Sequence, residues 1–260
     1  MTVEDPLLAG ALAAVRAAGD VALGFFRGAH RRWEKGPGQI VTEADIAVDG
    51  LLRRSLGELL PDAGWLSEET VDDGSRLARR RAWVVDPIDG TRSFAAGKPE
   101  FTVCVALVED GAPVLGLVLN PATGELFRAV RGGGAFLDDA SIHARDPAGL
   151  AGARIGISST ERHRDALAAA LPGAEPIAIG SLAYKLVLIA AGRLDGYVSR
   201  RRAHDWDIAA AELVMAEAGA VLTDAAGSAI SYGRAEPWRQ GLIAAAPQLH
   251  RELVARLATG

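Results

Sequence analysis

Hydrophobic positions in the first segment of the chain repeat at helical spacing. Leu7, Leu8, Ala11, Leu12, Val15, Ala18, Val21, Ala22, Phe25 and Phe26 share one face, and Gly28 is a natural stop. A Gly/Pro connector, Gly36-Pro37-Gly38, leads to a second amphipathic helix. This one starts near Thr42, turns Ile46, Val48, Leu51, Leu52, Leu56 and Leu59 inward, and ends at Pro61. From there the period shortens to that of strands. Gly64-Trp65-Leu66-Ser67 reads as a strand end, and 82–85 as a short apolar strand that runs directly into Asp86. Strands at 101–108 and 114–119 are joined by Glu109-Asp110-Gly111-Ala112, whose Asp-Gly pair suits a tight hairpin. A further strand at 125–130 completes an antiparallel meander. The C-terminal half alternates instead, with strands at 154–158, 176–179, 194–199 and 241–245 and helices at 162–171, 181–191, 207–218 and 248–257.

Two sheets with helices layered around them are the packing such a list predicts, an α/β chain of α+β layered type. The weakest boundary lies near Asp146-Pro147. It divides the chain into an N-terminal α+β part, 1–146, and a C-terminal α/β part, 147–260.

With 260 residues, 49% hydrophobic and 23% charged, the chain has ample material for such a core. A net charge of -5 and a pI near 5.6 argue against binding a nucleic-acid polymer, while leaving small anionic substrates open. The one cysteine, Cys104, falls inside the apolar run 101–108. It excludes an intramolecular disulfide, reads as a buried strand thiol, and fits a reducing compartment. Met1-Thr2-Val3-Glu4-Asp5-Pro6 is acidic where a signal peptide is basic, and no apolar run approaches the ~20 residues that cross a bilayer. The expectation is a cytoplasmic protein with no membrane partner.

The sharpest chemical feature is Asp86-Pro87-Ile88-Asp89-Gly90-Thr91. An apolar strand ends in a carboxylate, proline stiffens the exit, a second carboxylate follows, and Gly90 permits a tight turn before the Thr91 hydroxyl. Two carboxylates crowded at a concave strand end repel each other unless a cation lies between them. Hard oxygen ligands without a His or Cys cluster point to Mg²⁺. Taken alone, the same residues also suit a surface β-turn. Glu68 and Glu69, leaving another apolar element, favour the site, as does Asp207 in Asp205-Trp206-Asp207-Ile208-Ala209-Ala210, where Asp205 or Asp207 also suits a helix cap.

Together these motifs, with Thr42-Glu43-Ala44-Asp45, resemble the motif set of the inositol monophosphatase superfamily, in the same order and over nearly the whole chain. The resemblance implies an αβαβα five-layer sandwich. It implies metal ligation by Glu68, Asp86, the main-chain carbonyl of Ile88, Asp89 and Asp207, with two or three Mg²⁺ ions. It further implies that Thr91, with Glu68 and Asp45, orients the attacking water, and that the enzyme is lithium-sensitive and a homodimer. Ser93 stands where the family usually has asparagine, which bears on substrate preference.

The substrate is expected to be a small phosphorylated metabolite. Gly180-Ser181-Leu182-Ala183 opens a helix and resembles the family's substrate loop, so Gly180 and Ser181 join Gly90, Thr91 and Asp207 as expected contacts. In Arg200-Arg201-Arg202, Arg200 stands where inositol-specific members have an acidic residue, which with Lys185 favours a second anionic group on the substrate. Arg201 and Arg202 read as solvated charges. Other stretches look like bacterial 3'(2'),5'-bisphosphate nucleotidases, which makes adenosine 3',5'-bisphosphate the leading substrate, followed by inositol 1-phosphate and histidinol phosphate. A non-catalytic metal or inositol-phosphate binding module is the alternative of another class.

Overall fold

The computed structural model describes residues 5–28, 31–36, 39–158 and 171–257. Six helices and fourteen strands lie among them. The helices are α1 (Asp5–Phe26), α2 (Glu43–Leu59), α3 (Thr91–Ala95), α4 (Leu182–Ala190), α5 (Asp205–Glu217) and α6 (Pro247–Leu257). Seven strands form one sheet in the order β3-β4-β5-β6-β7-β8-β9. They are β3 (Gly64–Ser67), β4 (Arg81–Asp89), β5 (Thr102–Glu109), β6 (Ala112–Asn120), β7 (Glu125–Val130), β8 (Ala135–Leu137) and β9 (Ala140–Ser141). Only β3 and β4 run parallel; the rest is the expected meander. Five strands form a second sheet ordered β11-β10-β12-β14-β13, from β10 (Arg154–Ser158), β11 (Glu175–Ile179), β12 (Gly196–His204), β13 (Val221–Thr223) and β14 (Trp238–Ala245).

Side-chain alternation along the strands explains the layering, because both sheets are apolar on both faces. In the larger sheet Trp83, Val85, Val103, Val105 and Leu107 pack with α1 and α2, whereas Val84, Cys104, Ala106 and Val108 face α4 and α5. In the smaller sheet Tyr197, Leu242 and Ala244 join that same central core, while Val198, Ile243 and Ala245 turn to α6. The order is therefore helices, sheet, helices, sheet, helices, the five-layer αβαβα sandwich.

Several expected boundaries shift. Arg32–Gly36 (β1) and Gln39–Thr42 (β2) flank the Gly/Pro connector and pair antiparallel, a hairpin that the short exposed pattern of β1 hid. Strand β4 continues through Asp86 to Asp89 rather than stopping at 85, and β12 extends to His204. Helix α5 begins at Asp205, with His204 as its N-cap. The Asp-Gly hairpin is as expected, with φ of 50° at Asp110 and 79° at Gly111. The expected helix at 162–171 lies, apart from Leu171, outside the described residues, as do Pro37 and Gly38. The expectation that no apolar stretch approaches a membrane-spanning length needs correction. By length and composition α1 reaches it, with 22 residues and an 18-residue stretch of mean hydropathy 1.5. Here Ala11, Val15, Ala18 and Ala22 are fully buried against the neighbouring layer.

Helix α5 lies directly on the larger sheet, which it can do because Gly116 on β6 has no side chain. A Cβ there would run into the Ala210 backbone, with the carbonyl carbon at 3.2 Å and the oxygen nearer still. Gly116→Ala is expected to lift α5 and cost about 1–3 kcal/mol. That is a fall in melting temperature of roughly 2–4 °C per kcal/mol, read by thermal denaturation.

Candidate active site

The C-terminal end of β4 is where the acidic motifs meet. The β4–β5 register shifts between Asp86 and Asp89, so this stretch bulges and both aspartates leave the sheet on the same side as the central helices. Asp86 Oδ1 accepts the Ile88 N–H at 3.0 Å, which fixes the turn. Gly90 follows with φ of 97°, and a Cβ there would lie 2.8 Å from the Glu100 carbonyl, so glycine is required for conformation and for space. Thr91 then opens α3. Its hydroxyl lies 3.1 Å from Asp45 Oδ1 and 3.0 Å from the Ile88 carbonyl. Asp45, 1% exposed, is held from behind by the Thr42 N–H (2.8 Å) and hydroxyl (2.6 Å) at the start of α2.

Opposite stands the loop into α4. Ser181 adopts φ of 52°, an uncommon conformation for a non-glycine residue, and three contacts hold it there. Its hydroxyl donates to Asp89 Oδ2 at 2.5 Å, lies 3.2 Å from Thr102 Oγ1, and accepts the Tyr184 N–H at 2.9 Å. Ala183 N–H adds a second bond to Asp89 Oδ2 at 2.6 Å. Gly180 N–H donates to Glu100, and a Cβ on Gly180 would run into Ser93 Oγ, so a small residue at 93 and a glycine at 180 belong together. Asp207, in the first turn of α5, accepts the His204 N–H at 2.7 Å. Glu68, just beyond β3, meets Lys35 Nζ at 2.9 Å, and the same ammonium reaches Glu69 at 2.5 Å.

These groups line one cleft of about 290 Å³. Glu68, Asp86, Ile88, Asp89, Gly90, Thr91, Gly180, Ser181, Lys185 and Asp207 are all on its wall, and Asp45 supports Thr91 from behind. Arg200, expected as a substrate contact, is not among the residues that line the cleft. Arg201 and Arg202 line the cleft instead. The register of β12 against β14 shifts between Ser199 and Arg202, a bulge that re-aims this run in a way no residue pattern signalled. The Arg200 carbonyl is bonded by the Gln240 side chain. Lys185 is on the wall, but its ammonium donates to the carbonyls of Ile179 (3.1 Å), Gly180 (3.3 Å) and Ser181 (2.5 Å). It shapes the loop more than it offers a charge to a ligand. Lys35, Ser93, Ser199 and His204 also belong to the site. Of these only Ser93, adjacent to the motif, carried a signal in the sequence.

Electrostatics single out Asp86. Burial above all, then Glu68, Asp89, Asp207 and Asp45, pushes its carboxyl well above the usual range. Burial also raises Glu68 and Asp207, with Asp207 adding to the first and Asp89 to the second. Asp89 is raised by burial and partly relieved by Ser181 and Lys185. Such a cluster of hard oxygens, with the Ile88 carbonyl beside it, fits a divalent cation. Among the described residues no three Asp, Glu, His or Cys side chains are, as placed, grouped closely enough to hold a metal ion by themselves. Cys104 lies across the ladder from Asp86, and burial holds its thiol protonated.

Comparison with known proteins places this geometry. The sequence profile of the Inositol monophosphatase family matches residues 3–259. The Inositol-1-monophosphatase of Rhizobium meliloti is 38% identical over 202 residues, 74% of this chain and 75% of that protein. The Histidinol-phosphatase of Mycobacterium tuberculosis is 36% identical over 238 residues, 85% of each. The solved structure of the Thermotoga maritima IMPase superposes with a TM-score of 0.85 at 28% identity, covering 97% of this chain and 96% of its own.

The carboxylate cluster sets a pH dependence whose sign is fixed. A carboxyl with a raised folded pKa binds its proton more tightly when folded. Its contribution to stability is therefore present at low pH and lost as pH rises from the unfolded value, about 4, through the folded one. The metal-free protein is expected to lose melting temperature over that interval, and a divalent cation to restore it increasingly as pH rises. Asp86→Asn should flatten the metal-free profile, abolish the cation-induced rise and nearly abolish turnover. Thermal scans from pH 4 to 8 with and without cation check this. An unchanged cation response in the variant refutes it.

Proposed function

This chain belongs to the inositol monophosphatase family, whose members are metal-dependent phosphatases acting on phosphomonoesters, and we propose that it is a Mg²⁺-dependent enzyme for a small phosphate ester with a second anionic group. Adenosine 3',5'-bisphosphate is the leading candidate. The observation that carries the class is the convergence of Glu68, Asp86, Asp89 and Asp207 with Thr91 on one cleft. Glu68, Asp86, Asp89, Asp207 and the Ile88 carbonyl would hold Mg²⁺, which supplies Lewis acidity toward the phosphoryl oxygens and toward water.

The protein's own part is positioning. Thr91 has one hydroxyl proton and two acceptors for it, Asp45 and the Ile88 carbonyl. Its oxygen lone pairs are thereby left toward the cleft, where they accept a hydrogen bond from water. Asp45 is itself fixed by two bonds from Thr42, so the Thr91 orientation is set before substrate arrives. Ser181 and Ala183 fix Asp89, and His204 fixes Asp207, which places the remaining carboxylates without rearrangement.

Substrate choice rests on Arg201 and Arg202 at the cleft. The Arg202 guanidinium stacks 3.9 Å from the Trp238 ring centroid, which restricts its rotamers and leaves a flat fork for an anion. Inositol 1-phosphate is the second reading, favoured by the 38% identity to an Inositol-1-monophosphatase. Histidinol phosphate is the third, favoured by the 36% identity to a Histidinol-phosphatase.

A panel of the three esters, assayed by phosphate release against Mg²⁺, ranks them. Arg201→Ala and Arg202→Ala, made singly, are each expected to lower kcat/KM for the bisphosphate about ten- to a hundredfold, from roughly 1.5–3 kcal/mol for one charge-assisted bond. Inositol 1-phosphate should lose far less. Equal losses for both esters, or a wild-type preference for the inositol ester, would replace the leading candidate.

A further inference from the structure

We propose that Asp49 is a positioning residue for Glu68, a role that rests on reading Glu68 as a metal ligand. Asp49 lies one helical turn beyond Asp45 on α2, so the two carboxylates leave the same face of the helix. Each serves a different wall of the cleft. Asp45 orients Thr91. Asp49 reaches the segment that leaves β3, where Oδ1 accepts the Ser67 hydroxyl and Oδ2 accepts the Thr70 hydroxyl at 2.8 Å. Ser67 and Thr70 bracket Glu68-Glu69.

The segment needs such a clamp. At Glu68 the chain leaves the sheet, and its N–H reaches the Val85 carbonyl only at 3.4 Å. Glu69 N–H reaches Ser67 Oγ at the same long distance, 3.4 Å. Lys35, from the β1–β2 hairpin, pulls both glutamates from outside. The two bonds to Asp49 are therefore short restraints, from a separate helix, on both ends of the backbone that aims Glu68. Asp49 is 7% exposed, and among the described residues no lysine or arginine pairs with it. A buried carboxylate without a counter-charge is costly unless both oxygens are bonded, and here both are. An apolar residue of similar size would fill the same space without that cost. The carboxylate's gain is that it fixes the direction of the Glu68 segment.

Magnesium binding to the free protein, measured by calorimetry and by the Mg²⁺-induced rise in melting temperature, tests this separately from turnover. Asp49→Ala is expected to raise the half-saturating Mg²⁺ concentration about ten- to a hundredfold, the usual effect of losing a residue that orients a ligand. kcat should recover toward the wild-type value at high Mg²⁺, with KM for the ester changed less than about twofold. Asp49→Asn keeps one acceptor oxygen and should lie between. Ser67→Ala and Thr70→Val each break one bond, and each should shift the midpoint in the same direction. They decide the question equally well if Asp49→Ala does not fold. Their effects should not add to that of Asp49→Ala, because the bonds are shared. A lower melting temperature with an unchanged Mg²⁺ midpoint would make Asp49 merely structural and overturn the proposal. Glu68→Gln separates the two readings. If it weakens Mg²⁺ binding while Asp49→Ala does not, only the positioning role fails; if it binds Mg²⁺ normally, the ligand reading fails and takes this one with it.

Discussion

The repulsion among carboxylates buried at the end of β4 is the constraint on which the rest of the structure depends. Asp86 is 1% exposed and feels Glu68, Asp89, Asp207 and Asp45 at once. Folding alone does not favour such a cluster, since each ionised group is both desolvated and crowded by like charge. The five layers hold it together by fixing the main chain on every side. A bulged strand supplies two of the aspartates, a helix start supplies Asp207, and the edge of β3 supplies Glu68. Stability is stored in the apolar layers and spent at this one point, the usual arrangement where charge has to be ready for a ligand.

Hydrogen bonding around the cluster follows one rule. Each acidic side chain, apart from the one most shifted, is oriented by a neighbour from another element. Thr42 and Thr91 bond Asp45, Ser181 and Ala183 bond Asp89, His204 bonds Asp207, and Lys35 bonds Glu68. Among the described residues Asp86 has only the Ile88 N–H of its own turn. It is the residue whose charge is least satisfied by protein, and so the one with most to gain from a cation. The substrate side follows a similar division of roles. Lys185 holds the carbonyls of the loop before α4, and Arg201 and Arg202 on the cleft wall come from β12.

Much of this was legible in the residues. The apolar periods predicted α1, α2, the meander and the alternating second half, because amphipathic spacing reflects burial directly. The Asp-Gly hairpin and the helix start at Ser181 were legible because turn and helix-start chemistry is local. The acidic motifs announced the cleft, and their likeness to a family's motif set supplied the order of the layers.

What the sequence by itself determined was therefore which segments are helix or strand, which residues are apolar on which face, and which carboxylates are chemically conspicuous. The tertiary structure alone decided which of them meet, and how each is held. Strand β1 carried no periodic signal, since its residues are mostly exposed, yet its hairpin with β2 brings Lys35 to Glu68 from 33 positions away. Asp49 looked like any polar residue of an amphipathic helix until β3 was laid beside it. The bulge in β12 chose Arg201 and Arg202 over Arg200, because in a strand one added residue reverses which side a charge faces. Local propensity acts over a few residues, whereas the direction of a side chain at a strand end depends on register with a partner far along the chain, and that is settled only when the sheets close.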